Sequence, residues 1–137
     1  MTEFSWPIRV YYEDTDAGGV VYYANYLRFM ERARTEMLRA IGFEQDRLQQ
    51  EQDVIFAVHS INASYHKPAV FNDELTVISH ITDLAKASLT FSQRVQRNHD
   101  RQLLCSADIR VACLRASRFA ATAIPAEITQ RITAEYC

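Results

Sequence analysis

DTDAGGVVYYANYLRFMERARTEMLRAI, residues 14–41, sets the architecture of the chain. After two carboxylates and two glycines, apolar side chains recur at intervals of three and four residues, the period of one buried helical face. Gly42 follows them, where a left-handed C-terminal cap is expected. The pattern therefore predicts one long amphipathic helix that spans a small domain. Its apolar face comprises Tyr23, Tyr26, Met30, Ala33, Met37 and Ile41, with Leu27 and Leu38 alongside.

Alternation between apolar and polar residues predicts one strand before this helix and four strands after it. The second strand ends at His66-Lys67-Pro68-Ala69, because proline cannot donate to a strand ladder. The last two strands are separated by the turn Asn98-His99-Asp100 and are expected to form an antiparallel hairpin. The predicted strands cover residues 4–12, 54–65, 74–83, 89–95 and 103–113.

The order of these elements predicts the fold. One flat sheet cannot cover a helix on both sides, whereas a curved antiparallel sheet wrapped around a central helix covers most of it. Such wrapping accounts for apolar residues outside the main stripe, such as Phe29. Residues 43–53 form a short helix or a loop, and Pro125 starts a C-terminal helix over 126–135. We therefore predict a single α+β domain over residues 1–137, without internal repeats or linkers.

Composition and charge narrow the function classes. The chain has 48% hydrophobic and 23% charged residues and a net charge of −2, which is typical of a globular protein and gives no support to nucleic-acid binding. Cys105, Cys113 and Cys137 show no metal-type spacing, and the first two are expected to be core residues on one strand face. No stretch resembles a signal peptide or approaches the roughly 20 apolar residues of a membrane span. We expect a cytoplasmic protein without a bound metal.

The motif Asp14-Thr15-Asp16 is open to several interpretations on spacing alone. A calcium loop fails, because Gly18 and Asn25 fall where oxygen ligands and the twelfth-position Glu are needed. Gly18-Gly19 is too short for a dinucleotide fingerprint, and no Lys follows it as in a phosphate-binding loop. A phosphatase with an aspartate nucleophile needs a longer parallel α/β domain. Two interpretations remain: a solvated turn in which Asp16 caps the helix, and an active site at the helix start.

The same region carries a family resemblance. EDTDAGGVVYYANYLRFMERARTEML, residues 13–38, resembles the signature of the hotdog-fold acyl-CoA thioesterases related to 4-hydroxybenzoyl-CoA thioesterase, and within them the Tol-Pal-associated, YbgC-like branch. Tyr65-His66-Lys67-Pro68-Ala69, Lys86-Ala87-Ser88 and Ile124-Pro125 support the resemblance. It extends over nearly the whole chain and implies the hotdog fold, a curved antiparallel sheet around one long central helix.

The resemblance implies roles for residues around the motif. Asp16 matches the catalytic carboxylate, which either attacks the thioester carbonyl or activates a water molecule. The backbone N–H of Tyr23 would polarise the carbonyl oxygen, and Gly19 would allow the substrate to approach the backbone closely. Tyr12 matches a position near the site. Asn25 would shape the pocket or orient the helix start.

One position departs from the YbgC-like pattern: Tyr23 stands where that branch often has His, so a side-chain role there is open. Coenzyme A is polyanionic, and the resemblance implies that Lys86 and Arg118 bind its nucleotide end while Ser88 donates a hydrogen bond. It also implies homodimers joined edge to edge, with sites at the interface, or homotetramers of such dimers. We expect Glu31 to form a surface pair with Arg28 or Arg34.

The sequence thus predicts an acyl-CoA thioesterase that uses no cofactor, since coenzyme A is part of its substrate. A thioester of acyl carrier protein is an alternative substrate. One rival function is a weakly catalytic or non-catalytic binding scaffold of the cell envelope that interacts with acyl carrier protein. A hydratase on the same fold is disfavoured, because such enzymes usually need a His near the helix and none lies between Met1 and Val58.

Overall fold

The computed structural model describes residues 2–137, in which a six-stranded antiparallel sheet curls around one long helix. The strand order is β1-β3-β4-β5-β2, and β6 pairs with the end of β5. The strands are β1 Phe4–Arg9, β2 Val54–Tyr65, β3 Glu74–Leu84, β4 Ser88–Arg97, β5 Leu103–Arg115 and β6 Ala120–Ala121. The helices are α1 Asn25–Ala40, α2 Gln45–Gln52 and α3 Ala126–Tyr136, with a 3-10 turn at Tyr12–Asp14.

Helix α1 forms the centre of the core. Phe29, Met30, Ala33 and Met37 are completely buried, which confirms the predicted face from Tyr26 onwards and the burial of Phe29 beside it. Tyr23, predicted in the same face, is instead 59% exposed. Burying each large apolar side chain stabilises the fold by about 1.5–3 kcal/mol. Gly42 has a φ of +96°, which confirms the predicted left-handed cap.

The sheet agrees with the predicted pattern in its later strands. Strand β2 has the predicted limits, and β4 and β5 form the predicted antiparallel hairpin. Cys105 and Cys113 are fully buried core residues. Residues 45–52, left open between helix and loop, are helical.

Two predicted bounds on either side of the Asp16 loop were wrong. Strand β1 ends at Arg9 because Tyr12–Asp14 turns back as a 3-10 helix, and α1 begins at Asn25, two residues after Tyr23. The two-residue strand β6 went unpredicted because it is too short to show alternation.

The two edges of the sheet differ. Strand β1 is short and carries Pro7, which blocks pairing by removing a backbone donor. Strand β2 is 12 residues long, contains no Pro, Asp, Glu, Lys or Arg, and exposes Val58, Ile61 and Tyr65. In the described chain its outer edge has no partner. An unprotected edge of this kind favours pairing with a second chain.

None of the helices formed by residues 2–137 has the length and apolarity that spanning a bilayer requires.

Candidate active site

The loop between β1 and α1 is fixed from both ends. Asp14 is buried: its carboxylate accepts a hydrogen bond from Tyr11 N at 2.8 Å, and its carbonyl accepts one from Asn25 Nδ2 at 2.8 Å. Asn25, also buried, therefore orients the helix start rather than facing solvent. Val21 N donates to the carbonyl of Ala69 at 2.9 Å, which holds the loop against the segment after β2. The Asp14-to-Asn25 loop is thus a rigid support.

Asp16 lies at the exposed tip of this support. Its Oδ1 accepts a hydrogen bond from Gly18 N at 2.8 Å, and its carbonyl accepts one from Gly19 N at 3.0 Å. A Cβ at Gly18 would lie 3.2 Å from Asp16 Oδ1, and Gly19 has a φ of +81°. A side chain at Gly18 would therefore displace the Asp16 carboxylate slightly, and a side chain at Gly19 would strain the backbone of the turn. The interpretation of Asp16 as a helix cap is wrong, because α1 has no side-chain cap.

A free backbone donor lies next to the helix start. Tyr22 N and Asn25 N donate to backbone carbonyls, whereas Tyr23 N has no acceptor among residues 2–137. Tyr23 precedes the first residue of α1 by two positions, where the helix dipole favours negative charge. This N–H is therefore available to a carbonyl oxygen that becomes negative during a reaction.

Exposed aromatic side chains flank the Asp14-to-Asn25 loop and contact one another. The ring of Tyr23 contacts Tyr22, with ring centroids 4.8 Å apart, and Tyr65, at 5.8 Å. Tyr12 stacks on Phe71 with ring centroids 3.8 Å apart. The Tyr23 hydroxyl raises the pKa of Tyr22 through a side-chain hydrogen bond, with smaller contributions that include the charge of Asp16. The Tyr22 hydroxyl therefore stays protonated and neutral at pH 7.

Tyr26 connects the helix to the segment after β2. Its buried hydroxyl accepts a hydrogen bond from Ala69 N at 3.0 Å, and burial raises its pKa. Sequence reasoning assigned no site role to Tyr65 or Phe71, although both contact predicted site residues. The break in the strand pattern at His66-Lys67-Pro68-Ala69 could have indicated both residues. They flank this break, and a chain that leaves a strand passes over that end of the sheet.

The residues predicted to bind coenzyme A lie at the other end of the sheet. Ala87, beside Lys86, accepts a hydrogen bond from Cys113 N at 2.8 Å, and Arg118 N donates to the carbonyl of Arg115 at 3.2 Å. Both contacts are near the end of β5, whereas Tyr65 pairs with Cys105 near its start. At about 3.3 Å per residue, positions 105 and 115 are roughly 33 Å apart.

The predicted site residues thus form two groups within one chain. Asp16, Gly19, Tyr23 and Asn25 come together, with Tyr12 on the neighbouring turn. Lys86 and Arg118 are exposed in the second group. Ser88 is buried there and accepts a 3.5 Å hydrogen bond from Arg110.

A cavity of about 130 Å³ lies between α1 and the sheet, beside the outer edge of β2. Arg34 lies in it, with its Nη1 donating to Gln93 Oε1 at 3.0 Å, and burial lowers its pKa. Glu31 also lines this cavity, and the expected surface pair with Arg28 or Arg34 is not among the ion pairs of the described residues. Apolar side chains form the remaining wall: Leu38, Phe56, Val58, Leu89, Phe91 and Val111.

Residues 2–137 contain no group of His, Cys, Asp and Glu side chains that could hold a metal ion. The described site presents an exposed carboxylate, Asp16, and a free N–H, Tyr23 N, next to a helix start.

Comparison with known proteins identifies the family. A family model described as the thioesterase-like superfamily matches residues 10–132. The chain belongs to the thioesterase-like superfamily. The match covers the Asp16 loop, helix α1 and all the strands from β2 onwards, so the resemblance based on residues 13–38 is confirmed.

Members of this superfamily with similar sequences span nearly the whole chain. The YbgC protein of Escherichia coli, named an acyl-CoA thioester hydrolase, is 46% identical over 127 residues, covering 93% of each chain. The YbgC acyl-CoA thioesterase of Haemophilus influenzae is 44% identical over 125 residues, covering 91% of this chain and 90% of its own.

Solved structures of the superfamily share the fold. The 1,4-dihydroxy-2-naphthoyl-CoA thioesterase of Synechocystis superimposes with a TM-score of 0.89 at 21% identity, over 96% of each chain. The predicted hotdog fold is therefore confirmed.

Proposed function

We propose that this protein is a thioester hydrolase that splits an acyl-CoA into a free acid and coenzyme A. One observation carries the proposal: an exposed carboxylate, Asp16, lies in the same rigid loop as the unengaged N–H of Tyr23 at the start of α1. A nucleophile or base and an oxyanion donor are the two elements that acyl transfer requires. The similarity to the YbgC thioesterases supports the choice of acyl-CoA as the substrate.

In this mechanism the thioester carbonyl oxygen accepts a hydrogen bond from Tyr23 N. Asp16 either attacks the carbonyl carbon to give a mixed anhydride, which water then hydrolyses, or it removes a proton from the attacking water. In both cases the C–S bond breaks and coenzyme A leaves as a thiolate. After one turnover in ¹⁸O-labelled water, label in the Asp16 carboxylate would establish the anhydride route, because general-base catalysis places the label only in the free acid.

We further propose that the active unit is a homodimer joined through β2. Its long, uncharged edge supports this arrangement, because antiparallel pairing with a second copy would satisfy its free backbone groups. Such pairing sets Tyr65 of one protomer near Val54 of its partner. Asp16 and Tyr23 of one chain would then face Lys86 and Arg118 of the other, which unites the two groups of predicted site residues.

The cavity beside β2 would receive the acyl group in such a dimer. It opens next to the edge at which the partner chain would bring its Tyr23 and Asp16. Its apolar wall suits a hydrocarbon chain, and Arg34, Thr35, Glu31 and Gln45 give one side a polar character.

Removing the Tyr23 N–H tests the oxyanion role. We expect Tyr23→Pro to lower kcat by about 10²-fold or more, as loss of one oxyanion donor does elsewhere. Proline is tolerated near a helix start, so the fold should persist. Tyr23→Phe keeps the N–H and should retain kcat within a few-fold. Steady-state kinetics check both, and equal losses in the two variants would contradict the backbone role.

Filling the cavity tests the location of the acyl group. We expect Thr35→Phe to reduce kcat/KM at least tenfold for long acyl-CoAs while leaving acetyl-CoA nearly unaffected, because the added ring occupies the space for the chain. Ala40→Phe, on an exposed position of the same helix outside the cavity, is the matched control. Uniform losses across chain lengths would place the acyl group elsewhere.

Thiol release from a panel of short, medium, long and aromatic acyl-CoAs tests the function itself. Turnover by the wild type would establish the thioesterase and rank its substrates. An acyl-acyl carrier protein belongs in the panel, since it shares the thioester and the pantetheine arm. No turnover of any substrate would favour the rival role as a scaffold that binds acyl carrier protein.

The proposal also includes a cytoplasmic location, the absence of any cofactor and a link to the Tol-Pal system.

A further inference from the structure

Phe119 is an exposed aromatic residue far from the Asp16 loop. It is 70% exposed and lies between β5 and β6. The other large aromatic side chains exposed in residues 2–137 cluster at the Asp16 end of the sheet: Tyr11, Tyr12, Tyr22, Tyr23, Tyr65 and Phe71. Phe119 therefore contributes little to the core, and its position calls for another explanation.

The backbone at Phe119 is unfavourable for a bulky residue. Its φ is +51°, in the left-handed region that glycine occupies freely and that costs free energy for other L-residues. Phe119 N donates to the carbonyl of Arg115 at 2.7 Å. The Asp53 carboxylate accepts hydrogen bonds from Ser117 N at 2.9 Å and Ser117 Oγ at 2.6 Å. The loop is thus held in place and presents the ring to solvent.

Basic side chains accompany this ring. Lys86, Arg110 and Arg118 are exposed, and none of the ion pairs among the described residues includes them. The carbonyl of Lys86 accepts a hydrogen bond from Ile124 N at 2.8 Å, which joins its loop to the segment that follows Phe119. Positive charge without a carboxylate partner, at the same end of the sheet as an exposed aromatic ring, suits a ligand that combines phosphates with an aromatic ring.

We propose that Phe119 stacks on the adenine ring of coenzyme A, while Lys86 and Arg118 neutralise its phosphates. The inference rests on the proposed function and extends it to the recognition of the nucleotide end. An adenine has an aromatic face to stack on the ring, and aromatic stacking on a base contributes substantially to binding. Phe119 is then a substrate-binding residue that acts on KM and remains remote from the reacting bond.

The test compares one acyl-CoA with the matched acyl-pantetheine, which keeps the thioester and lacks the nucleotide. We expect Phe119→Gly to raise KM for the acyl-CoA about tenfold and to leave KM for the acyl-pantetheine unchanged. Glycine suits the left-handed backbone, so the variant should fold at least as stably as the wild type. Phe119→Trp keeps a stacking surface and should retain the wild-type KM for both substrates.

Arg101→Gly is the matched control. Arg101 is exposed, has a φ of +58° and lies in the loop at the opposite end of β5. The Arg101→Gly variant should therefore have the wild-type KM for both the acyl-CoA and the acyl-pantetheine. A second readout is independent of turnover: fluorescence of Phe119→Trp, corrected for Trp6, should be quenched by coenzyme A and by adenosine 3′,5′-bisphosphate but unaffected by pantetheine.

The outcomes separate this inference from the proposed function. If the wild type hydrolyses both substrates and Phe119→Gly changes both KM values equally or neither, the adenine role is overturned. If Phe119→Gly instead dissociates the oligomer, Phe119 is a subunit contact and the inference also fails. If the wild type hydrolyses neither thioester, the proposed function fails, and quenching by the bisphosphate alone still reports on the nucleotide site.

Discussion

Replacing Asp16 with Asn is expected to lower kcat by about 10³-fold or more, because it removes the carboxylate that attacks the thioester or activates water. The amide keeps an oxygen in the position of Oδ1, which accepts the 2.8 Å hydrogen bond from Gly18 N. Because Asp16 is also exposed, the loop should keep its shape and the free energy of unfolding should change little. Thiol release and thermal unfolding, measured on the same preparations, check both expectations.

Asp14→Ala is the informative comparison. Asp14 is buried and its carboxylate accepts a hydrogen bond from Tyr11 N, so removing that acceptor should destabilise the loop as well as reduce activity. Asp16→Asn should instead leave the free energy of unfolding unchanged. Full activity in Asp16→Asn would remove Asp16 from the mechanism, and a lower melting temperature would make its role structural.

Periodicity predicted the parts of this fold that depend on local sequence. The three- and four-residue spacing from Tyr26 to Ile41 fixes one helical face, and alternation from Leu103 to Cys113 fixes a strand with one buried side. The start of α1 was misplaced by two residues, because Tyr22 to Ala24 continue the apolar pattern while their backbone forms turns. Patterns of side chains indicate burial, and backbone hydrogen bonds determine where a helix begins.

The division of the site into two groups could not be predicted from local patterns. The β4–β5 hairpin already brings Lys86, before β4, and Arg118, after β5, to the same end of the sheet. The position of Asp16 relative to them depends on the pairing of β2 with β5, which join residues separated by about forty positions or more. Only that pairing shows that the end of β2, beside Asp16, meets the start of β5.

The resemblance supplied residue roles that the residues alone left open. Spacing around Asp16 fitted a solvated helix cap as well as an active site. The geometry excludes the cap, since the carboxylate is bonded to Gly18, and it shows the Tyr23 N–H without an acceptor. No sequence motif could indicate the cavity at Arg34, because its lining residues come from five elements: α1, α2, β2, β4 and β5.

Mixing two defective chains should restore activity if each site takes residues from both protomers. Asp16→Asn removes the carboxylate from the group of residues at the start of α1. The double variant Lys86→Ala/Arg118→Ala removes the basic side chains from the group at the other end of the sheet. Both homodimers should have low kcat/KM. A heterodimer with one chain of each kind, isolated through two different affinity tags, contains one intact site and should show about half the wild-type activity per dimer.

The reason is geometric. Within one chain the two groups lie roughly 33 Å apart along β5, and antiparallel pairing across β2 places each group opposite its complement. In the heterodimer the wild-type Asp16 of one chain then meets the wild-type Lys86 and Arg118 of the other, while the second site carries every substitution. Assays below KM make the loss of nucleotide contacts visible.

A site formed within one chain gives a different result. Every site in the heterodimer would then carry either the Asp16 or the basic-residue substitution, and activity would equal the mean of the two parents.

Introducing proline into the centre of β2, as in Ser60→Pro, offers a second measurement, since it weakens edge pairing. If the dimer is joined through this edge, light scattering should show monomers and turnover should fall with the loss of dimer, whereas an active monomer would exclude a shared site.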